Sequence, residues 1–112
     1  MATRDEMPSG TLEMLILRAL RRLGPNHGYV IAKHIQQISE DVLRVEEGSL
    51  YPALHRLLVK GWATSEWVQA GLKRRNRIYT ITPEGSRQLD AEITRYRRVS
   101  SAVARVLQED PS

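Results

Sequence analysis

The chain has 112 residues, 41% of them hydrophobic, with no cysteine and no phenylalanine. That bounds it to one modest core of leucine and isoleucine, and it removes disulfides, thiol catalysis and thiolate metal sites. No apolar run approaches the roughly 20 residues of a bilayer span, and no signal segment opens the chain, so a cytoplasmic location is expected. The net charge of +4 is concentrated locally: residues 49–82 hold Arg56, Lys60, Lys73, Arg74, Arg75 and Arg77 against the single acid Glu66. Such a zone favours a polyanionic partner, nucleic acid or an anionic membrane surface. A core this small also gains stability from a partner subunit.

Residues 1–8 carry no periodic pattern and read as a flexible tail. From there Leu12, Leu15, Ile16, Ala19, Leu20 and Leu23 fall on one face of an amphipathic helix, capped by Ser9 or Thr11 and stopped by Gly24-Pro25. A second helix runs from Gly28 to about Ser39, with Tyr29 or Val30, Ala32, Ile35 and Ile38 inward. Residues 40–47 form a connector whose Val42, Leu43 and Val45 are placed to plug the core. The stretch SLYPALHRLLVKGW builds a third helix on Leu50, Ala53, Leu54, Leu57 and Leu58. Pro52 is tolerated in a first helical turn, so this helix is expected to start near Gly48-Ser49, with Ser49 as N-cap, and to end at Lys60-Gly61. Ser49, Tyr51, His55, Arg56 and Val59 or Lys60 are left facing outward.

Strand-favouring residues over 63–68 and 75–82 flank a turn centred on Gln69-Ala70-Gly71, which is a hairpin. Thr82-Pro83-Glu84 then opens a last helix, with Thr82 capping and Pro83 in the first position. Leu89, Ile93, Tyr96, Val99, Val103 and Val106 continue its apolar stripe. At about 25 residues, or roughly 37 Å, this helix outruns the core that three short helices and a hairpin can supply. Pairing with a second copy of the chain explains the excess length; a partly frayed tail is the bland alternative.

The order helix, helix, helix, hairpin is an α+β, mostly α arrangement: a winged helix-turn-helix of three helices and a two-stranded wing, followed by a long C-terminal dimerisation helix. In such a fold the third helix buries one side on its neighbours and offers the other to a DNA major groove. Ser49, Tyr51 and His55 are hydrogen-bonding groups of suitable size, Arg56 reaches phosphate or a guanine edge, and Lys60 adds charge. Lys73, Arg74, Arg75 and Arg77 crowd the wing, with no interleaved acid, and suit the backbone or a narrow minor groove.

The segments GTLEMLILRAL, HGYVIAKHIQQIS, VEEGSLYPALHRLLVKGW and RRNRIYTITPEG resemble the PadR family of bacterial transcriptional regulators, over about Gly10 to Leu89. G-S-L-Y-P-A-L-H-R-L is the strongest signature. The resemblance implies a homodimeric repressor that binds an inverted-repeat duplex operator, with the final helix crossing the partner's first helix. It implies that Ser49, Tyr51, His55 and Arg56, with Lys73, Arg74 and Arg75, face DNA. Domain limits of 9–82 for the DNA-binding unit and 83–112 for the dimerisation helix follow, with Leu12, Leu15, Leu89, Ile93, Tyr96, Val99, Val103 and Val106 in the dimer contact. Some members of the family hold aromatic or drug-like effectors in the dimer cleft on an aromatic residue of the final helix. This helix has Tyr96 and no tryptophan, and Trp62 and Trp67 are expected to pack under the wing, so a small-molecule effector stays an open possibility.

Other chemistries find little footing. His27, His34 and His55 lack paired ligand spacing, so no metal is expected. Ser49 and His55 point to different azimuths of one helix, and no nucleotide-binding glycine loop occurs, so neither enzyme activity nor a cofactor is expected. A winged helix can also serve as a protein-interaction module, but the wing's cation cluster argues for a polyanion. Membrane binding is disfavoured because the basic residues sit on a hairpin, not along a helix face.

Overall fold

In a computed structural model, residues 7 and 10–108 are described. The expected tail therefore lies outside the described residues except for Met7, which packs against the core; Ser9, one of the two proposed caps, lies outside as well. The order is α1 (Thr11–Leu23), β1 (Asn26–His27), α2 (Gly28–Ile38), α3 (Glu47–Lys60), β2 (Ala63–Gln69), β3 (Arg75–Ile81) and α4 (Pro83–Leu107). The strands form an antiparallel sheet in the order β1-β3-β2. This is the winged helix-turn-helix with a long C-terminal helix, mostly α with a small sheet.

Helix α1 is central, touching α2, α3, α4 and β3. Contact on several sides explains why its buried face is wider than one stripe: Leu17 and Glu13 are buried beside Leu12, Ile16, Ala19 and Leu20, while Leu23 emerges at the end. Its N-cap is Gly10, without a side-chain bond, so Thr11 is a helical residue and not the cap. Gly24, at φ 84°, stops the helix and donates its N–H to the Leu20 carbonyl at 2.9 Å, a backbone state that suits glycine.

Helix α2 turns Gly28, Ile31 and Ile35 inward, with Ala32 and Val30 half-buried. Tyr29 and Ile38, both expected inside as options or members of the stripe, are exposed. In the connector Leu43 and Val45 pack against the core but Val42 does not. Glu40 and Asp41 both adopt positive φ (54° and 67°), a left-handed pair that reverses the chain and throws Val42 outward.

Helix α3 starts earlier than expected. Glu46 is extended and its carbonyl accepts from the Ser49 and Leu50 N–H groups at 3.0 and 2.8 Å. Ser49 is therefore inside the first turn rather than capping it, and Pro52 sits in the second turn. The proline leaves the Gly48 carbonyl without its helical donor, and Gly48 is exposed, so water can satisfy that group. Leu50, Ala53, Leu54 and Leu57 are buried and Leu58 half-buried, the stripe that the spacing predicts.

Strand β2 runs to Gln69, one residue beyond the expected end, which moves the turn to residues 70–74, closed by Ala70 N–H to the Arg74 carbonyl at 2.8 Å. The register pairs Ser65 with Tyr79, Trp67 with Arg77 and Gln69 with Arg75. Alternation puts those six residues on one face of the wing. The two-residue β1 joins the other edge of β3, Asn26 opposite Tyr79 and His27 opposite Ile78.

The wing and α4 meet at a stitched corner. Thr82 caps α4 by accepting from the Gly85 N–H at 2.9 Å, and its hydroxyl donates to the Gly61 carbonyl at 2.8 Å. Its own N–H donates to the Trp62 carbonyl at 3.0 Å. One residue thus ties the end of α3 to the start of α4. Thr82→Val keeps the shape and removes both hydroxyl bonds; it is expected to lower unfolding free energy by about 1–2 kcal/mol in a denaturant titration, whereas an unchanged midpoint would mean that the corner holds without them.

Helix α4 contributes Gly85 and Leu89 to the core, with Ile93 half-buried against it. Leu89 is 0% exposed, so it has no surface for a partner and is removed from the dimer contact inferred from the stripe; Leu12 is likewise a core residue. From Thr94 onward every described residue except Ala102 is exposed. The free length carries Tyr96, Val99, Val103, Val106 and Leu107 at the surface.

Candidate nucleic-acid interface

Gly28 sets the angle at which α3 meets α2. A Cβ there would lie 3.2 Å from Tyr51 Cε1 and 3.4 Å from side-chain atoms of Leu50 and Leu54, so the bare glycine lets the first turns close together. Tyr51 is thereby leaned toward the wing while remaining 47% exposed. Between them opens a cleft of about 480 Å³, lined by His27, Tyr29, Tyr51, Trp67, Arg75 and Arg77 among others and, among the described residues, by no acid. Of the residues expected at the interface, the fold brings Tyr51, Arg75 and Arg77 together here. Ser49 and His55 are exposed on α3, and Lys73 and Arg74 on the hairpin tip, all outside the cleft lining.

The arginines are held in different ways. Arg56 donates through Nε to Glu13, a carboxylate almost wholly buried on α1. Arg56 faces outward, as expected, with its side chain 52% exposed, and part of its charge is answered from within the fold. Arg77 donates through Nε to the Ser65 hydroxyl at 2.9 Å, with its guanidinium 5.5 Å from the Trp67 ring centre and 5.6 Å from that of Tyr79. The Arg75 guanidinium stands 5.2 Å from the Trp67 ring centre. Lys60, at the far end of α3 from the first turn, lies over the half-buried Trp62 ring at 4.6 Å.

Trp67 departs from expectation. It does not pack under the wing; it is 57% exposed, on the cleft face. Its place in the cleft, and those of His27 and Tyr29, are not legible from the residues alone. The signal that finds Trp67 is register: counting back through the hairpin places it opposite Arg77 and diagonal to Arg75. Tyr79, at the foot of the same face, is buried, and burial raises its phenol above the ordinary 10.0 while Arg77 pulls the other way. The phenol is neutral at physiological pH.

Among the described residues no group of three or more His, Asp or Glu side chains converges in a way that could hold a metal ion. No helix is long and apolar enough to cross a membrane.

Comparison with known proteins agrees with this geometry. Residues 16–91 match the family model described as the transcriptional regulator PadR-like family. A PadR family transcriptional regulator from Eggerthella lenta is 31% identical, with a TM-score of 0.76 over 90% of this chain and 85% of that one. The Bacillus subtilis PadR in complex with operator DNA shares the fold, with a TM-score of 0.68 at 23% identity over 95% of this chain and 51% of that one. An uncharacterized 37.1 kDa protein in a transposon of Streptomyces fradiae is 37% identical over 87% of this chain, which spans about a quarter (26%) of that relative's length. With α3, the wing and the start of α4 all inside the matched region, the chain belongs to the PadR-like family, a family of transcriptional regulators and not of enzymes.

Proposed function

We propose that the chain binds duplex DNA sequence-specifically as a homodimer and regulates transcription, as a repressor. Helix α3 enters the major groove with Ser49, Tyr51 and His55 on its reading face, and the wing grips the backbone or minor groove with Lys73, Arg74, Arg75 and Arg77. Arg56, tied to Glu13, stands at the flank and offers its terminal nitrogens to a phosphate. Residues 9–82 form the DNA-binding unit and 83–112 the assembling arm, with Tyr96, Val99, Val103 and Val106 in the dimer seam and Leu15 and Ile93 at its edge. The repressor sense rests on the family resemblance.

The observation that carries the reading is the pairing of exposed, uncharged Ser49, Tyr51 and His55 on α3 with a cleft that, among the described residues, is lined by no acid and whose arginines have no carboxylate partner. A surface serving only solubility mixes charge signs. The Bacillus subtilis relative, solved on operator DNA, supports duplex DNA as the partner of this fold. A two-fold dimer then reads an inverted repeat with half-site centres about 10–10.5 bp apart.

The test is a salt titration of duplex affinity. Arg74→Ala with Arg75→Ala is expected to weaken binding to operator and random DNA alike and to reduce the slope of log affinity against log salt by about one to two, since each phosphate contact contributes roughly 0.9. An unchanged slope would place the backbone contact elsewhere.

A further inference from the structure

We infer that Trp67 is a positioning residue for DNA binding: its indole face holds Arg75 and Arg77 in the cleft between the wing and α3, where they take a backbone phosphodiester. The inference rests on the DNA-binding reading above and adds to it a residue and a seat for the strand that passes from helix to wing.

Two ways of holding an arginine are visible in this fold, and they differ in consequence. Glu13 holds Arg56 through Nε and answers part of its charge with an opposite one. Trp67 holds Arg75 and Arg77 at 5.2 and 5.5 Å from its ring centre without cancelling anything, because a π face attracts a cation but carries no net charge. A guanidinium stacked on a ring keeps its in-plane N–H groups pointing outward, in the fork that matches two phosphate oxygens. Ser65 takes only the Nε of Arg77, at 2.9 Å, which leaves both terminal nitrogens for a ligand. The alternative for a long, exposed arginine is a spread of rotamers, whose ordering costs affinity at the moment of binding.

Position completes the case. Trp67 and Arg77 are directly paired across the hairpin, and Arg75 is the diagonal neighbour, so the stack is set by strand register. An indole with 57% of its surface exposed is poorly placed as core, and the cleft it lines also receives Tyr29 and Tyr51, phenols able to donate to the same oxygens, and, among the described residues, no carboxylate. The lining is therefore suited to an anion, and its open shape to a chain passing through.

Trp67→Leu keeps apolar bulk on the strand and removes the π face; Trp67→Phe keeps an aromatic face. Binding of each full-length variant to operator duplex is measured at about 0.1 M salt, in the native chain and in an Arg75→Ala/Arg77→Ala background. Trp67→Leu is expected to weaken binding about tenfold in the native chain and less than about twofold in the double-alanine background, with Trp67→Phe within about threefold of the unsubstituted protein. Equal losses in both backgrounds, or Leu binding as tightly as Phe, would overturn the inference while leaving the DNA-binding reading intact. Absence of salt-dependent duplex binding by the unsubstituted protein would strike that reading itself, and the role of Trp67 with it.

Discussion

Val103→Asp is expected to convert the protein to monomers at concentrations of about 10 μM. Val103 is half exposed in the single chain and sits with Val99, Ala102, Val106 and Leu107 around one apolar depression on the free part of α4. A helix that leaves its own core this early has nothing among the described residues to shield that stripe, and isolated helical turns are marginal in water. In the proposed dimer a second copy laid along it would cover the valines of both. One aspartate per chain then puts two unpaired carboxylates into the seam, and burying an unpaired charge costs several kcal/mol. At 1.4 kcal/mol per tenfold, the dimer constant should weaken by at least about a hundredfold. Sedimentation equilibrium reads the result; a dimer of unchanged strength would remove α4 from the contact. Because the substitution lies far from Tyr51 and the wing, each freed monomer should still be folded and should bind a half-site weakly.

Gly85→Ala is expected to destabilise the fold by about 3 kcal/mol, against the usual sense of such a change. In an ordinary helix interior alanine gains up to about 1 kcal/mol over glycine. Here a Cβ would stand 2.0 Å from the Trp62 carbonyl oxygen, 2.8 Å from its carbon and 3.1 Å from Ile81 Cγ1. The first two are backbone atoms and cannot rotate aside. Overpacking typically costs about 1–3 kcal/mol and occasionally more; a 2.0 Å approach to backbone belongs just above that range, at about 4 kcal/mol, so about 3 kcal/mol remains after the propensity gain. At about 4 °C per kcal/mol, thermal unfolding should move down by roughly 12 °C. An unmoved or raised midpoint would show that α4 can lift from the corner without penalty. For the proposed function the glycine matters because that corner sets the angle between α4 and α3, which in a DNA-bound dimer would set the spacing of two half-sites.

What was legible in the residues follows from where the physics is local. The leucine spacing of α3 and the Thr82-Pro83 opening of α4 depend on neighbours within a turn, and both stand in the structure. The start of α3 did not, because the argument from Pro52 assumed an intolerable missing hydrogen bond, whereas an exposed Gly48 carbonyl loses little when water replaces its donor. Strand β1, two residues long, has no period to detect and exists only by pairing with β3. Leu17 and Glu13 are buried because α1 is surrounded, which a single-helix pattern cannot show. Ile38 and Val42 are outside because a left-handed turn at Glu40-Asp41 diverts the chain. At the candidate site the basic wing was visible, but not how its arginines are held: the Glu13 to Arg56 pair joins positions 43 residues apart, and the Trp67 stack needs a register that no composition supplies.

Selection from a pool of random duplexes with the unsubstituted protein, followed by hydroxyl-radical footprinting of the enriched sequence, puts the reading of α3 and the wing to its most direct trial. The account predicts convergence on an inverted repeat, with two protected patches on one face of the duplex about one helical turn apart. A pool that does not enrich, or a single protected patch without two-fold symmetry, would contradict it.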